Sequence, residues 1–444
     1  MFRRAFRSFQ RIAFGYLGYS SIVWCMPDFD EKIDLPSKAL AKQDPSNPSV
    51  YVIIGGGPAS YVCAHTLRSE GFQGKIIVVA DEQPVNSLLF GSNIKLEHLD
   101  DKFFRYGVDL KLSGVTSVDS KNSVVNLSDG TQIKYHKLCV AKEPVLQVPG
   151  IYENAHKNLE NVVTLDSIND HSKLHELSNS KNVVFAGLNL KTLGVLGWLK
   201  ANITVIEPND EPLINVLGRD IANEVFNALR RQGIRIITGT PDELISDTSH
   251  LNSVKMVHNH EFRGKQTEII PADLLVITEA TAINNHCLPP ELLSTDGTVH
   301  VDMFMKSANS NVYAAGRGIN ALDTWTEQRI SPLGVSSAKT GAYAAYNMLG
   351  KSTNYSELPF RSFNIGVQVD IIGNTESHDW YWTEKINHNQ LVTYFYRNKR
   401  CIGAVVYNHP EVSQKLNDAI KGGLVPSPHY WGRELSVDSI LKSF

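Results

Sequence analysis

The chain has 444 residues, of which 42% are hydrophobic and 20% charged; at roughly 150 residues per domain it has room for about three domains, each with its own core. That composition excludes a collagen-like, low-complexity or largely disordered protein. Lys and Arg number 43 against 46 Asp and Glu, a net charge of −3, so the strongly basic footprint of a nucleic-acid binder is absent. The five cysteines, Cys25, Cys63, Cys139, Cys287 and Cys401, are scattered with no CxxC pair, which argues against a disulfide framework, a zinc site or a redox dithiol.

The first 27 residues hold Arg3, Arg4, Arg7 and Arg11 and no acid before Asp28. On a helical wheel the arginines share one face and Phe2, Phe6, Phe9 and Ala13 the opposite one, the pattern of a mitochondrial presequence. The presequence is favoured over a secretory signal because its arginines are spread along the helix. The uncharged run Ile12 to Pro27 is 16 residues, shorter than the roughly 20 a membrane-spanning helix needs, so an anchor is not favoured. Without those arginines the balance is 39 against 46, a net acidic mature chain.

Residues 28–50, rich in Pro and Ser towards their end, read as a linker. The segment YVIIGGGPASYVCAHTLRSEGFQGKIIVVADE (51–82) then gives strand, glycine turn, helix and strand in about 30 residues, a nucleotide-binding βαβ unit. Alternating strand patterns over 105–149, including VDLKL and SVVNL, suit a meander that closes this first module. A second βαβ unit follows at 181–210, and GRDIANEVFNALRRQGIRIIT (218–238) reads as an amphipathic helix leading into a strand. ADLLVIT (272–278) is another apolar strand, NVYAAG (311–316) a strand ending in glycine, and 332–350 a small-residue helix stopped by Gly350. From Pro359 short alternating strands and a helix near 410–421 predict an antiparallel α+β domain. The expected architecture is α/β: an FAD-binding-type module from 51–165 and 301–350, an NAD-binding-type module from 166–300, and a C-terminal α+β domain from 359–444.

In such a fold the first glycine permits the tight turn, the second admits pyrophosphate, the third lets helix and strand pack, and an acid about 20 residues on binds ribose hydroxyls. The first unit offers Gly55, Gly57 and Ser60, with Asp81 or Glu82 at the far end. The second offers Gly187, Asn189 and Thr192, with Glu207. Asn189 puts a side chain where pyrophosphate must approach, and β-branched Thr192 is expected to crowd the helix. For Glu207, ribose binding and a solvated strand-end carboxylate are both open. HNH (258–260) falls on a probable hairpin without a companion acid–His set, so no metal is expected. Trp380, Tyr381 and Trp382 form an aromatic strand for which sheet packing and a partner surface are the two alternatives.

On VIIGGGPAS (52–60), the VLGRD and ALRRQGIRI pieces of 216–236, NVYAAG and YFYRNKRCIGAVVYN (394–408), the chain resembles the pyridine-nucleotide flavoprotein reductases, and within them most closely the mitochondrial apoptosis-inducing-factor branch, over about 50–420. The resemblance implies FAD in the first module, NADH in the second and hydride transfer between them. It also implies roles in import and assembly of respiratory proteins and in cell death, and a C-terminal domain that offers a strand edge to protein partners or forms a homodimer. The departures from the family's pattern are numerous. The family's strand-turn Gly-Asp, whose acid holds the flavin ribityl chain, is Gly316-Arg317 here, a reversed charge. The segment NSLLFGSNIKL (86–96) stands where the family has a flavin-contacting Arg and Lys; Lys95 is the one candidate for the lysine, with an exposed helix-start lysine as its alternative. The family's glutamate after the second turn falls on Gly194, and its small-residue turn closing the first module is Ala141-Lys142-Glu143. No Glu or His stands between Gln328 and Tyr343, where the family's cell-death flavoprotein has both. Hydride transfer needs a close fixed geometry. These departures therefore point to a weak or inactive oxidoreductase acting in mitochondria, in the intermembrane space or at the inner membrane, by protein binding, with an active FAD-dependent NADH oxidoreductase as the alternative.

Overall fold

A computed structural model of the chain describes residues 39–81, 85–90, 93–98, 100–142, 144–165, 180–196, 199–260, 264–278, 281–322 and 336–425. The Arg-rich N-terminal segment, Glu82, Glu143 and residues 323–335 lie outside the described residues. Among the described residues no helix is long and apolar enough to cross a membrane.

The first sheet is wholly parallel. It comprises β1 (Val50–Ile54), β2 (Lys75–Ala80), β3 (Asp109–Leu112), β4 (Lys137–Val140) and a returning strand, Val312–Ala314, in the order returning strand, β4, β1, β2, β3. Successive apolar residues such as Val52, Ile53 and Ile54 are all buried, as a parallel sheet covered on both faces requires. VDLKL thus differs from the meander expected of it: Asp109–Leu112 extends the parallel sheet, and the antiparallel meander is confined to Val115–Asp119, Val124–Leu127 and Gln132–Lys134. Alternation alone does not distinguish an edge strand of a parallel sheet, with one face open, from a meander strand.

Helix α1 (Pro58–Ser69) follows β1 and packs against a later helix of the chain, Ser337–Met348. The contact is made by Gly341 of that later helix, where an added Cβ would stand 3.0 Å from the Ala59 carbonyl carbon. At its other end α1 is tied down by Arg68, whose buried guanidinium donates to the carbonyls of Phe72, Gly74, Tyr106 and Gly107 at 2.6–3.0 Å.

The second sheet, also parallel, has β5 (Val162–Thr164), β6 (Asn182–Ala186), β7 (Asn202–Glu207), β8 (Arg235–Thr238) and β9 (Leu274–Ile277), in the order β5, β9, β6, β7, β8. Helix α2 (Leu190–Leu196) follows β6, and α3 (Arg219–Arg231) carries the amphipathic face predicted for it. His258 and His260 lie on an antiparallel hairpin, Leu251–His260 with Gly264–Pro271, and no metal-holding group occurs among the described residues.

The C-terminal sheet is antiparallel. Its strands are β10 (Phe360–Asn364), β11 (Gln368–Gly373), β12 (Trp380–Asn387), β13 (Gln390–Arg397) and β14 (Arg400–Tyr407), in the order β10, β11, β14, β13, β12. RNKR is the turn between β13 and β14; Asn398 and Lys399 take φ of +46° and +66°, a two-residue hairpin loop with both central residues left-handed. One face of the sheet, with Val369, Phe395 and Val405, shares a core with Ile221, Val225 and Leu229 of α3. The other, with Tyr394 and Tyr396, packs on helix α5 (Ser413–Lys421) through Leu416 and Ile420; in chain order the helix Ser337–Met348 is α4. Buried Asp370 joins sheet to helix by accepting from Ser362 and Ser413, both at 2.5 Å. Strand β12 is an edge: Trp380 stacks on Tyr396 with centroids 4.3 Å apart, Trp382 on Tyr394 at 5.7 Å, and the Tyr381 hydroxyl accepts from the Arg219 amide at 3.3 Å.

Candidate functional site

Strand order places the first candidate site. Along the carboxyl edge of the first sheet stand, in turn, Gly316-Arg317 after the returning strand, Ala141-Lys142 after β4, Gly55 after β1 and Asp81 after β2. Gly55 has φ of +127°, and a Cβ there would lie 2.7 Å from the Ala141 carbonyl carbon, so only glycine fits. Gly57 is the N-cap of α1 in extended geometry with no side-chain cap, and no acid occupies the first turn, which leaves the amides of that turn open. Ser60 is fully buried in the third-glycine place, and its Oγ has no hydrogen-bond partner. The Gly316 amide, at a residue with φ of +83°, donates to Thr340 Oγ1 of α4 at 2.9 Å, and Arg317 beside it is buried. Lys95 stands in a β-hairpin strand, Asn93–His98, opposite Leu88. The helix start considered for it is therefore corrected.

Asp81 is mostly exposed, and its carboxylate pairs with Lys142, Nζ to Oδ2 3.6 Å. The lysine side chain is only 14% exposed, so it lies on the protein. Lys142 follows β4 and Asp81 follows β2, with β1 between them. Burial raises the Cys287 thiol pKa, the Lys142 charge opposes that rise and the Asp81 charge adds to it.

The second turn differs in kind. Gly187 has φ of +106° and closely overlies Thr278 Oγ1, which donates to the Ala186 carbonyl at 2.8 Å. Asn189 caps α2: its Oδ1 accepts from the Thr192 amide at 3.0 Å, while Thr192 Oγ1 accepts from the Asn189 amide at 3.2 Å. This reciprocal pair uses the amides a phosphate would need. Asn189 Nδ2 also reaches the Thr278 carbonyl at 3.3 Å, bridging the turns after β6 and β9. Thr192 is fully buried, and its hydroxyl donates to the Gly187 carbonyl at 2.9 Å. Glu207 is 5% exposed, so it is not a solvated carboxylate. Its Oε2 accepts from the Leu188 amide at 2.6 Å and its Oε1 from the Asn209 amide at 2.9 Å. Burial, with the Glu207 charge alongside, pushes the Tyr152 hydroxyl up to about 12.

Two parallel nucleotide-type sheets with glycine turns at their carboxyl edges, followed by an antiparallel sheet, define the class: the two-module reductase fold. A ferredoxin reductase from Rhodopseudomonas palustris superposes with a TM-score of 0.75 at 18% identity over 89% of this chain and all of that one. The pyridine nucleotide-disulphide oxidoreductase family matches residues 49–329, and the chain belongs to that family. Apoptosis-inducing factor 3 of Mus musculus is 23% identical over 397 residues, 85% of this chain; the chain spans 64% of that relative's length. The 3-phenylpropionate/cinnamic acid dioxygenase ferredoxin–NAD(+) reductase component of Photorhabdus laumondii is 22% identical over 82% of this chain and 94% of its own. The fold is one that accommodates FAD and NADH.

The residues fit these cofactors unequally. The first module keeps a glycine turn, an uncapped helix start and a buried hydroxyl without a partner, and this cradle fits a pyrophosphate. Gly55, Gly57 and Ser60 would hold it, with Asp81 as the ribose acceptor; FAD bound there supplies the redox chemistry. In the second module the amides of Leu188, Asn189 and Thr192 and the Glu207 carboxylate are engaged by the protein itself, and the fit to NADH is poor. Two participants went unread in the sequence: Thr278, signalled only by its place at the end of an apolar strand, and the partnership of Lys142 with Asp81.

Proposed function

We propose that this protein is a mitochondrial, apoptosis-inducing-factor-like member of the family with weak or absent oxidoreductase activity, acting through protein binding. The observation that carries this is the second glycine turn, where Asn189 and Thr192 cap each other and Glu207 accepts from the Leu188 and Asn209 amides, groups a nicotinamide dinucleotide would need. The Arg-rich, acid-poor N-terminal sequence and the likeness to apoptosis-inducing factor 3 support a mitochondrial site of action. The edge strand β12 supports a partner that adds a strand, since that mode of binding draws on backbone and not on flavin. Import or assembly of respiratory proteins and cell death are the processes to which such binding belongs, and a homodimer through the C-terminal domain is the other arrangement it allows. A second reading, an active FAD-dependent NADH oxidoreductase, is favoured by the intact first cradle.

The visible spectrum of the purified protein separates the two. A stoichiometric flavin spectrum that NADH bleaches would refute the proposal. A folded, colourless protein that takes up no added FAD refutes the oxidoreductase.

A further inference from the structure

The first trough carries an obstruction of its own. Neighbouring strands stand about 4.8 Å apart, so Lys142 after β4 and Asp81 after β2 are separated by the full width of β1 and the turn at Gly55. A salt bridge at 3.6 Å between them requires the lysine side chain to cross that turn. Its backbone is clamped on both sides. A Cβ at Gly55 would meet the Lys142 amide nitrogen at 3.1 Å, and one at Gly318 would meet the Lys142 carbonyl oxygen at 2.7 Å. With the main chain so confined, the side chain lies along the protein while its carboxylate partner faces water at 56% exposure. The acid at the end of the second strand is the group that accepts ribose hydroxyls in this fold, and here it already has a cation.

We propose that Lys142 is a strap across the first nucleotide trough, holding Asp81 away from ribose and weakening the binding of adenine nucleotides, FAD among them. The inference rests on the reading of this trough as a nucleotide site. It adds one removable obstacle to nucleotide binding there. A ligand must break the ion pair and displace the butyl stem before its ribose reaches Asp81.

The test uses the full-length protein stripped of any bound nucleotide. FAD binding is titrated by quenching of flavin fluorescence, and ADP binding by calorimetry, for wild type, Lys142→Ala, Lys142→Met and Asp81→Asn. Losing an ion pair whose carboxylate faces water is worth roughly a two- to five-fold change in Kd. Lys142→Ala is therefore expected to bind both ligands at least two-fold more tightly, Lys142→Met, which keeps the stem, to fall between, and Asp81→Asn to gain nothing. The advantage of Lys142→Ala over wild type shrinks as salt screens the pair. The Met variant, matched to wild type in melting temperature, guards against a folding defect. Equal or weaker binding by Lys142→Ala overturns the strap, as does a lack of binding by every variant. Bleaching of bound flavin by NADH, read separately, decides the functional proposal without bearing on the ratio of these constants.

Discussion

Glu207 offers the sharpest test of how the second module is built. Replacing it with Ala removes a buried carboxylate that accepts from two backbone amides, Leu188 at 2.6 Å and Asn209 at 2.9 Å. A hydrogen bond to a charged group contributes about 1.5–3 kcal/mol, and a buried donor left without a partner costs about 1–3 kcal/mol. The Leu188 bond is the more consequential because it is buried, whereas the Asn209 amide can turn to water more easily. A loss of about 2–4 kcal/mol is therefore expected for Glu207→Ala. Glu207→Gln keeps one acceptor and turns its amide donors towards other donors, so an intermediate loss is expected. Urea denaturation followed by far-UV circular dichroism measures both, with the midpoint compared at constant slope. A carboxylate held in reserve for ribose would behave otherwise, leaving stability unchanged on substitution and lowering NADH affinity alone. A midpoint shift equivalent to less than about 0.5 kcal/mol, the ordinary range for a surface site, would refute the structural role.

The cap on α2 predicts that Asn189→Ala loses about 0.5–2 kcal/mol and Asn189→Gly only a few tenths, an ordering that urea denaturation checks. Gly341→Ala forces a methyl group against the Ala59 backbone where α1 and α4 meet; a loss of about 1–3 kcal/mol is expected, seen as a lower melting temperature. Arg68→Met strips donors from four carbonyls, and a cost of about 3–5 kcal/mol should appear as a sharp fall in soluble, cooperatively melting protein. The Asp129 carboxyl, bonded by Lys111 and by the Thr131 amide, is lowered to about 2. A depressed carboxylate stabilises the folded state above its unfolded pKa of about 3.9, and that contribution is lost as the pH falls through about 2. Its carboxyl carbon shift should titrate near pH 2, and in Lys111→Met at a higher pH.

Much of the fold was legible because its signals are local. A strand, Gly55 and a helix announce the first turn, and the left-handed backbone at Gly55 and Gly187 is the reason glycine stands there. Asn189 directly before an apolar helix is itself a helix-start signal, so the closed second turn could have been read from sequence as a cap. Glu207 could not be settled that way, since an acid at a strand end has the same spacing whether it faces ribose, water or the Leu188 amide. Lys142 and Asp81 lie further out of reach. They are 61 positions apart in sequence, and their meeting depends on strand order. The strand Asp109–Leu112 was misplaced for a related cause, as its neighbour across the sheet is not its neighbour in the chain.

The core shared between α3 and the C-terminal sheet bears on how this molecule can be divided. Val225 and Leu229 share one core with Phe395 and Val405, so a chain cut at residue 350 would present a greasy seam to solvent. The second module and the terminal sheet should therefore melt together as one cooperative block, resist proteases at their junction, and fail as separately expressed fragments. On that account the second module serves as a pedestal for β12, a task that its closed glycine turn leaves intact.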